Sequence, residues 1–332
     1  MDFKCNKSFC SDYMLLKPEE AGLIDVFRIL FSDDIGKRKF IDCPEGKRPE
    51  PFKRRLLIFV SILVQKLLLA VEKPMAWFGS LVEQWLNLLS SNGSLSSLIL
   101  NFVRGKVIYP KKTATSFKSI IGNVDNRREL DDKIKRGDKR YDAALSMMAA
   151  KVSYENKGLH LIYGHGILED YCTSNSFLSF FSIQMDFLGS YYFWNDYQEK
   201  ATTQAFMFND QNDKIAVAFR GTEPFDANAW LTDFDISWYC LTKSSKKVLT
   251  VNKGTTMMVW FDHGMGFQAL ERRAADKKQE VPYYAIRKIL KQILQKNEKA
   301  KFIITGHSLG GALAILFPAI LAFHQETWLL ER

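Results

Sequence analysis

Ser308 lies between two glycines in Gly306-His307-Ser308-Leu309-Gly310, and a hydroxyl so placed is equipped to attack a carbonyl carbon. A short β-rich run, Phe302-Ile303-Ile304-Thr305, leads into the motif, and a small-residue, apolar helix follows it. Strand, sharp turn and helix in that order form a nucleophile elbow, which lifts the serine Oγ clear of a sheet. Gly306 and Gly310 flank the serine because the turn leaves no room for side chains. The chemistry predicted for Ser308 is nucleophilic acyl transfer. Such a step needs two N–H donors aimed at the developing oxyanion. Leu309, the residue after the nucleophile, supplies one. The buried strand and loop KIAVAFRGTEPF at 214–225 offer the second at Thr222, with Gly221 permitting a tight approach. On those residues alone an ordinary strand-end turn is the simpler reading of the loop.

A serine nucleophile also needs a histidine base and an acid that orients it. In the α/β-hydrolase order these follow the serine. After Ser308 the sequence holds one histidine, His324. Residues 310–323 read as one helix with a possible kink at Pro318, which puts His324 roughly 24 Å from Ser308 at 1.5 Å per residue. His307 adjoins the serine, but neighbouring side chains diverge at an elbow, so it is read as packing. His160, His165 and His263 precede the elbow. His263 is the weak candidate for a replacement base, since Gly264 and Gly266 suggest a strand-to-helix turn instead. The triad acid and histidine are therefore expected to be missing, and the catalytic domain to be incomplete at its C-terminal end. Asp233 and Asp235 are read as surface or capping groups, with loop orientation as the alternative.

With 332 residues, 47% of them hydrophobic, the chain can bury a sizeable core. Its five cysteines (5, 10, 43, 172, 240) show no metal-ligand spacing and are read as reduced thiols. No metal or organic cofactor is expected. The net charge of +9 suits an anionic surface. No zinc-finger or RRM signature accompanies it, so a phospholipid surface is preferred to nucleic acid.

Residues 1–51 read as a polar, partly disordered lead-in without the apolar core of a secretory signal. Residues 52–105 form a hydrophobic anchor region. There FKRR at 52–55 precedes LLIFVSILVQKLLLAV at 56–71, which is short for a membrane span and interrupted by Gln65-Lys66. Beyond Pro74, read as a helix start or the bend of a shallow hairpin, Ser80, Glu83, Gln84 and Asn87 recur as a narrow polar stripe. Trp77, Phe78, Leu81, Val82, Trp85, Leu88 and Leu89 cover the rest. This pattern suits a helix in a lipid headgroup region through 52–90, with packing on the domain or on another subunit as the alternative. Residues 106–139 read as a charged connector and 140–332 as an α/β domain. Within the latter, YDAALSMMAAKVSYEN is a helix, TQAFMFND and KIAVAFRG a hairpin, and 281–301 an amphipathic helix returning to the elbow strand. The aromatic run 177–197 is read as core, an acyl pocket being the alternative.

The strand with its RGT loop, EPFDANAWLTDFDISW after it, HGMGFQAL at 263–270 and GHSLGGALA at the elbow together resemble the class 3 (fungal-type) lipases. More narrowly, the chain is similar to the plant oil-body-associated triacylglycerol lipases, which also carry an N-terminal hydrophobic region. The resemblance implies an α/β-hydrolase fold, a central sheet with flanking helices, beside an N-terminal hydrophobic helical anchor. It implies Ser308 as nucleophile, Thr222 and Leu309 as oxyanion hole, and a lid over the acyl groove near residues 223–230. The implied activity is hydrolysis of triacylglycerol on the cytosolic face of a lipid droplet or the endoplasmic reticulum membrane. Two other readings stand beside it: a phospholipase A1 or galactolipase, and a non-catalytic, shortened lipid-surface protein.

Overall fold

The computed structural model describes residues 13–32, 35–36, 38–43, 50–112, 114, 117–124, 134–155, 186–195, 200–210, 212–239 and 282–332. The strand that leads into the RGT loop is central. β5 (Lys214–Phe219) pairs antiparallel with β4 (Lys200–Asn209), which pairs antiparallel with β3 (Asp186–Asn195). On its other edge β5 runs parallel to β7 (Lys301–Gly306), with Val217 opposite Ile304 and Phe219 opposite Gly306. The four-stranded order is β3-β4-β5-β7. Because side chains alternate along a strand, β5 feeds two cores. Val217 and Phe219 join Tyr283, Ile286 and Leu290 of α7 (Pro282–Lys296) and Leu313 and Phe317 of α8 (Leu309–Phe323). Ala216 and Ala218, with Phe206 and Phe208, face Leu145, Met148 and Ala149 of α5 (Tyr141–Val152). Helices thus cover both faces of a mixed sheet, the layering expected from the sequence. The expected hairpin is β4–β5, closed by the Asp210 carboxylate, which accepts the N–H groups of Asn212 (3.0 Å) and Lys214 (3.1 Å).

Within the stretch read as lead-in, β1 (Tyr13–Leu16), α1 (Leu23–Arg28) and β2 (Ile41–Asp42) are ordered elements. β1 lies between β2 and the short β6 (Trp238–Tyr239), and Met14, Leu16, Val26, Ile29 and Ile41 share a core with Ile58 and Ile62. Enough apolar side chains are present there to offset the ordering of the chain.

In the anchor region Pro74 is neither the helix start nor the hairpin bend that the sequence offered. Residues 52–92 form one helix, α2 (Phe52–Asn92), which passes through Pro74 without a break and ends at Gly93, where φ is +91°. Proline lacks one helical hydrogen bond, but the turns on either side of Pro74 carry long apolar runs that favour continuation. α3 (Leu95–Val103) follows, capped by the Ser94 hydroxyl, which accepts the Ser97 N–H at 3.2 Å. Among the described residues no helix is long and apolar enough to cross a membrane.

The face of α2 turned toward the protein mixes core residues Ile58 and Ile62 with buried polar ones, while Gln84 faces out. The Ser61 hydroxyl donates to the Phe234 carbonyl at 2.7 Å, and the Gln65 amide donates to Ser61 Oγ at 3.0 Å. Buried Asn87 donates to the Lys118 carbonyl and accepts the Lys118 N–H, both at 2.8 Å, beside the short α4 (Ile120–Val124). Asn92 exchanges a similar pair with the Ile108 backbone. The outward face carries Leu56, Leu57, Val60, Leu63, Leu67, Trp77, Phe78, Leu81 and Trp85. At 100° per residue, positions 56, 60, 67, 78 and 85 nearly eclipse, a stripe roughly 44 Å long. Trp77, Phe78 and Trp85 are 66%, 51% and 50% exposed, a level that marks an interaction surface rather than a core-facing helix.

Candidate active site

The elbow forms where β7 ends against α8. Ser308 has φ +56° and ψ −126°, a conformation that L-residues other than glycine rarely adopt, and it is exposed. Strain of this kind is of order 1–3 kcal/mol and persists only where neighbours over-determine it. The neighbours are visible. A Cβ on Gly306 would lie 2.2 Å from the Gly310 carbonyl, and one on Gly310 would lie 2.2 Å from the Phe219 carbonyl. Both predicted elbow glycines are thus required by backbone contact. α8 begins at Leu309, whose amide belongs to the first helical turn, where N–H groups lack intrahelical acceptors. Gly310 donates to the His307 carbonyl (3.0 Å), and Gly311 and Ala312 donate to that of Ser308 (2.9 and 3.2 Å).

The RGT loop is pressed directly on this turn. A Cβ on Gly221 would sit 2.1 Å from the His307 carbonyl oxygen and 2.1 Å from the Tyr154 hydroxyl. Tyr154 ties loop to elbow. Its hydroxyl accepts the Gly221 N–H, lies 3.0 Å from His307 Nδ1 and donates to the His307 carbonyl at 3.3 Å. Burial pushes the Tyr154 phenol up to about 12, so it stays a neutral donor at any working pH. Thr222 is buried, and its hydroxyl donates to the Asp233 carboxylate at 2.6 Å. That bond fixes the Thr222 backbone beside the turn. Burial raises the Asp233 pKa, and the Thr222 bond opposes the rise. Arg220, deeply buried, donates to Gln204 Oε1 at 2.7 Å and pairs with Glu223.

Tyr154 is a site residue that the sequence reading missed, whereas Asp233, read as a surface or capping group, takes the alternative role and orients the Thr222 loop. Asp233 stands on α6 (Ala227–Phe234), eleven residues past Thr222, and a lone aspartate at that spacing carries no periodic signal. Tyr154 closes an amphipathic helix, where an aromatic residue reads as core. Asp235 is local: it accepts the Ser237 N–H (2.9 Å) and hydroxyl (2.6 Å). Both described histidines are engaged away from Ser308, His307 with Tyr154 and His324 with the Tyr283 hydroxyl at 2.7 Å. His160, His165, His263, the HGMGFQAL segment, four of the cysteines and residues 177–185 lie outside the described residues. The part of the aromatic run that forms β3 is divided, Phe193 being core and Leu188 and Tyr192 exposed.

Comparison with known proteins decides the family. A model of the class 3 lipases matches residues 216–328, which hold the RGT loop, Asp233 and the elbow. A protein named triacylglycerol lipase OBL1 from Arabidopsis thaliana is 33% identical over 98% of this chain and 68% of its own length. Its namesake from Nicotiana tabacum is 34% identical over 94% of this chain and 63% of its own. The chain belongs to the class 3 lipases. It spans about two thirds of the length of these relatives. Among solved structures, the Rhizomucor miehei triacylglyceride lipase overlaps 58% of each chain at 17% identity with a TM-score of 0.32.

Between α2 and the loop after β5 of this class 3 lipase opens a groove of about 290 Å³, which no elbow residue lines. Tyr154 and the 223–228 loop form one wall, and Glu72, Gly79 and Glu83 of α2 the other. Burial raises the Glu83 pKa, and Lys112 followed by Arg220 offsets part of the rise.

Proposed function

We propose that this class 3 lipase hydrolyses triacylglycerol esters at the surface of a lipid droplet or the endoplasmic reticulum membrane, facing the cytosol. The observation that carries the reading is the exposed Ser308 at positive φ, wedged against a loop whose Gly221 has no space for a methyl group. In the proposed reaction Ser308 Oγ attacks the ester carbonyl and a base takes its proton. The N–H groups of Thr222 and Leu309 hold the oxyanion, the diacylglycerol alcohol leaves, and water releases the fatty acid from the acyl-enzyme. Asp233 holds Thr222 in place for that step.

The outward apolar stripe of α2, continued by Leu95, Ile99, Phe102 and Val103 of α3, is proposed to lie in the lipid headgroup layer. Basic residues Lys53, Arg54 and Lys73 flank or interrupt the stripe, and the net charge of +9 favours anionic lipid. The engagement of both described histidines elsewhere favours a second reading, a lipid-surface protein without turnover.

Labelling by a fluorophosphonate, with Ser308→Ala as control, separates the two. Labelling of Ser308 together with fatty-acid release from triolein emulsions supports the lipase. No labelling, with emulsion binding intact, supports the second reading. Faster release from phosphatidylcholine or galactolipid vesicles than from triolein would assign a phospholipase or galactolipase instead.

A further inference from the structure

The N-terminal strand of the chain is bonded to the end of the helix that carries Asp233. β1 pairs antiparallel with β6, Met14 standing opposite Trp238 and Tyr13 opposite Tyr239. Residues 235–237 link α6 to β6, and they are held from two sides. From β1, the Leu16 N–H donates to the Ser237 hydroxyl oxygen at 2.9 Å in a buried position. The Ser237 hydroxyl and N–H both donate to the Asp235 carboxylate, at 2.6 and 2.9 Å. From α2, the Ser61 hydroxyl donates to the Phe234 carbonyl at 2.7 Å and accepts the Gln65 amide at 3.0 Å. Carbonyls in the last turn of a helix have no intrahelical donor, so Ser61 supplies what the end of α6 lacks. Ile236 completes the clamp by packing into the core that Met14 and Leu16 share with Ile58 and Ile62.

Asp233 precedes the clamped carbonyl by one residue, and its carboxylate accepts the Thr222 hydroxyl at 2.6 Å. An aspartate side chain is short, so the place where the end of α6 is held decides where that carboxylate lies. We propose that β1 and Ser61 of α2 are positioning elements for the oxyanion hole: through Ser237 and Asp235 on one side and the Phe234 carbonyl on the other, they fix the end of α6, Asp233 with it, and so the Thr222 amide. The inference rests on the oxyanion-hole reading of Thr222 above. It adds residues that lie outside the 216–328 segment matched to the lipase family. A buried network of this kind specifies one arrangement, because losing one member leaves a buried polar group without its partner. None of these residues touches the substrate. The outward stripe of α2 is left for lipid, and its inward serine serves the site.

The test is capture of Ser308 by an alkyl fluorophosphonate in the full chain, its concentration dependence separating probe binding from the bond-forming rate constant. The phosphoryl oxygen takes the place of the carbonyl oxygen, so that rate constant reports the oxyanion hole. Ser237→Ala and, independently, Ser61→Ala are expected to lower it about tenfold, with probe binding changed less than about twofold. Should Ser237→Ala not fold, Ser61→Ala carries the same comparison from the α2 side. Each substitution is then repeated in Thr222→Val, which cuts the bond to Asp233. There neither is expected to slow capture further, since the route to the site is already broken. A fall of the same size in both backgrounds overturns the route through Asp233. Folded variants that capture at the wild-type rate overturn the clamp and leave the oxyanion reading intact. Wild-type chain that captures no probe overturns the oxyanion reading, and the clamp with it.

Discussion

Replacing Gly221 with alanine tests the proposed oxyanion geometry at its tightest point. The new methyl carbon would lie 2.1 Å from the His307 carbonyl oxygen and 2.1 Å from the Tyr154 hydroxyl. The tyrosine can swing aside, but the carbonyl belongs to the elbow and is held by the Gly310 N–H at 3.0 Å. Reaching an ordinary contact requires the 220–222 backbone to retreat by ~1 Å, carrying the Thr222 amide with it. A displacement of that size costs about 100-fold in rate, and complete loss of one oxyanion donor about 10²–10³-fold. Overpacking adds about 1–3 kcal/mol of destabilisation. The assay is the rate constant for fluorophosphonate capture of Ser308, measured well below the unfolding temperature so that the two effects separate. Gly311→Ala is the matched control. Its methyl would meet the Gly306 carbonyl oxygen at 3.3 Å, within reach of a small adjustment, and alanine favours the helix. Capture is expected to fall about 100-fold in the first variant and less than about threefold in the second. A folded Gly221→Ala chain that reacts at the wild-type rate would refute the assignment of this loop to the oxyanion hole.

Three further outcomes follow from named contacts. Thr222→Val removes the 2.6 Å bond to Asp233 and should cost about 1.5–3 kcal/mol in thermal unfolding while slowing Ser308 capture; Thr222→Ser should restore both. Asn87→Ala deletes the pair of bonds that tie α2 to the Lys118 backbone, and urea unfolding should show a loss of about 2–3 kcal/mol. Glu155 is buried, and burial raises its pKa above the unfolded value, so the folded state holds the proton more tightly. Its contribution to stability is therefore greatest below the unfolded pKa and declines as pH rises through the folded one. Glu155→Gln keeps an acceptor for the Ser119 N–H and should raise the Tm at neutral pH by about 2–4 °C per kcal/mol recovered, with no gain in acid. A gain that is equal at both ends of the pH range would remove desolvation as the cause.

What could be read in advance divides along physical lines. The elbow glycines, the hairpin at Asn209–Asp213 and the helices on either side of β7 were legible because each is set by local geometry. A turn that admits no Cβ needs glycine wherever the rest of the chain goes. Tyr154 was not legible and Asp233 was legible only as the lesser of two readings, because both reach the site through space, 153 and 11 residues from the groups they hold. No periodicity encodes such a meeting. The sheet order explains it: β5 and β7 are adjacent and parallel, so the loop after one and the turn after the other emerge at the same edge, with the end of α5 beside them.

Helix α2 shows a different limit. A periodic pattern gives the angle between the polar and apolar faces of a helix, but not which of them turns inward. For a helix in water the answer is supplied by the hydrophobic effect, and Ser80, Glu83 and Asn87 would face solvent. Here Asn87 is buried and fully bonded to the backbone at 118, Ser61 and Gln65 are buried beside α6, and the tryptophans face out. Burial of Ser61 and Asn87 is tolerable because each finds a backbone partner whose geometry is fixed by the protein. The exposed stripe has no such compensation in water, since its apolar surface is left hydrated at about 25 cal/mol per Å². An apolar medium on that side, such as the proposed lipid surface, would remove the deficit, while Ile58 and Ile62 and the polar contacts hold the helix to the protein. The same segment of α2 also holds the loop after β5, through the Phe78–Phe225 ring contact and the bond from Asn228 to Glu72.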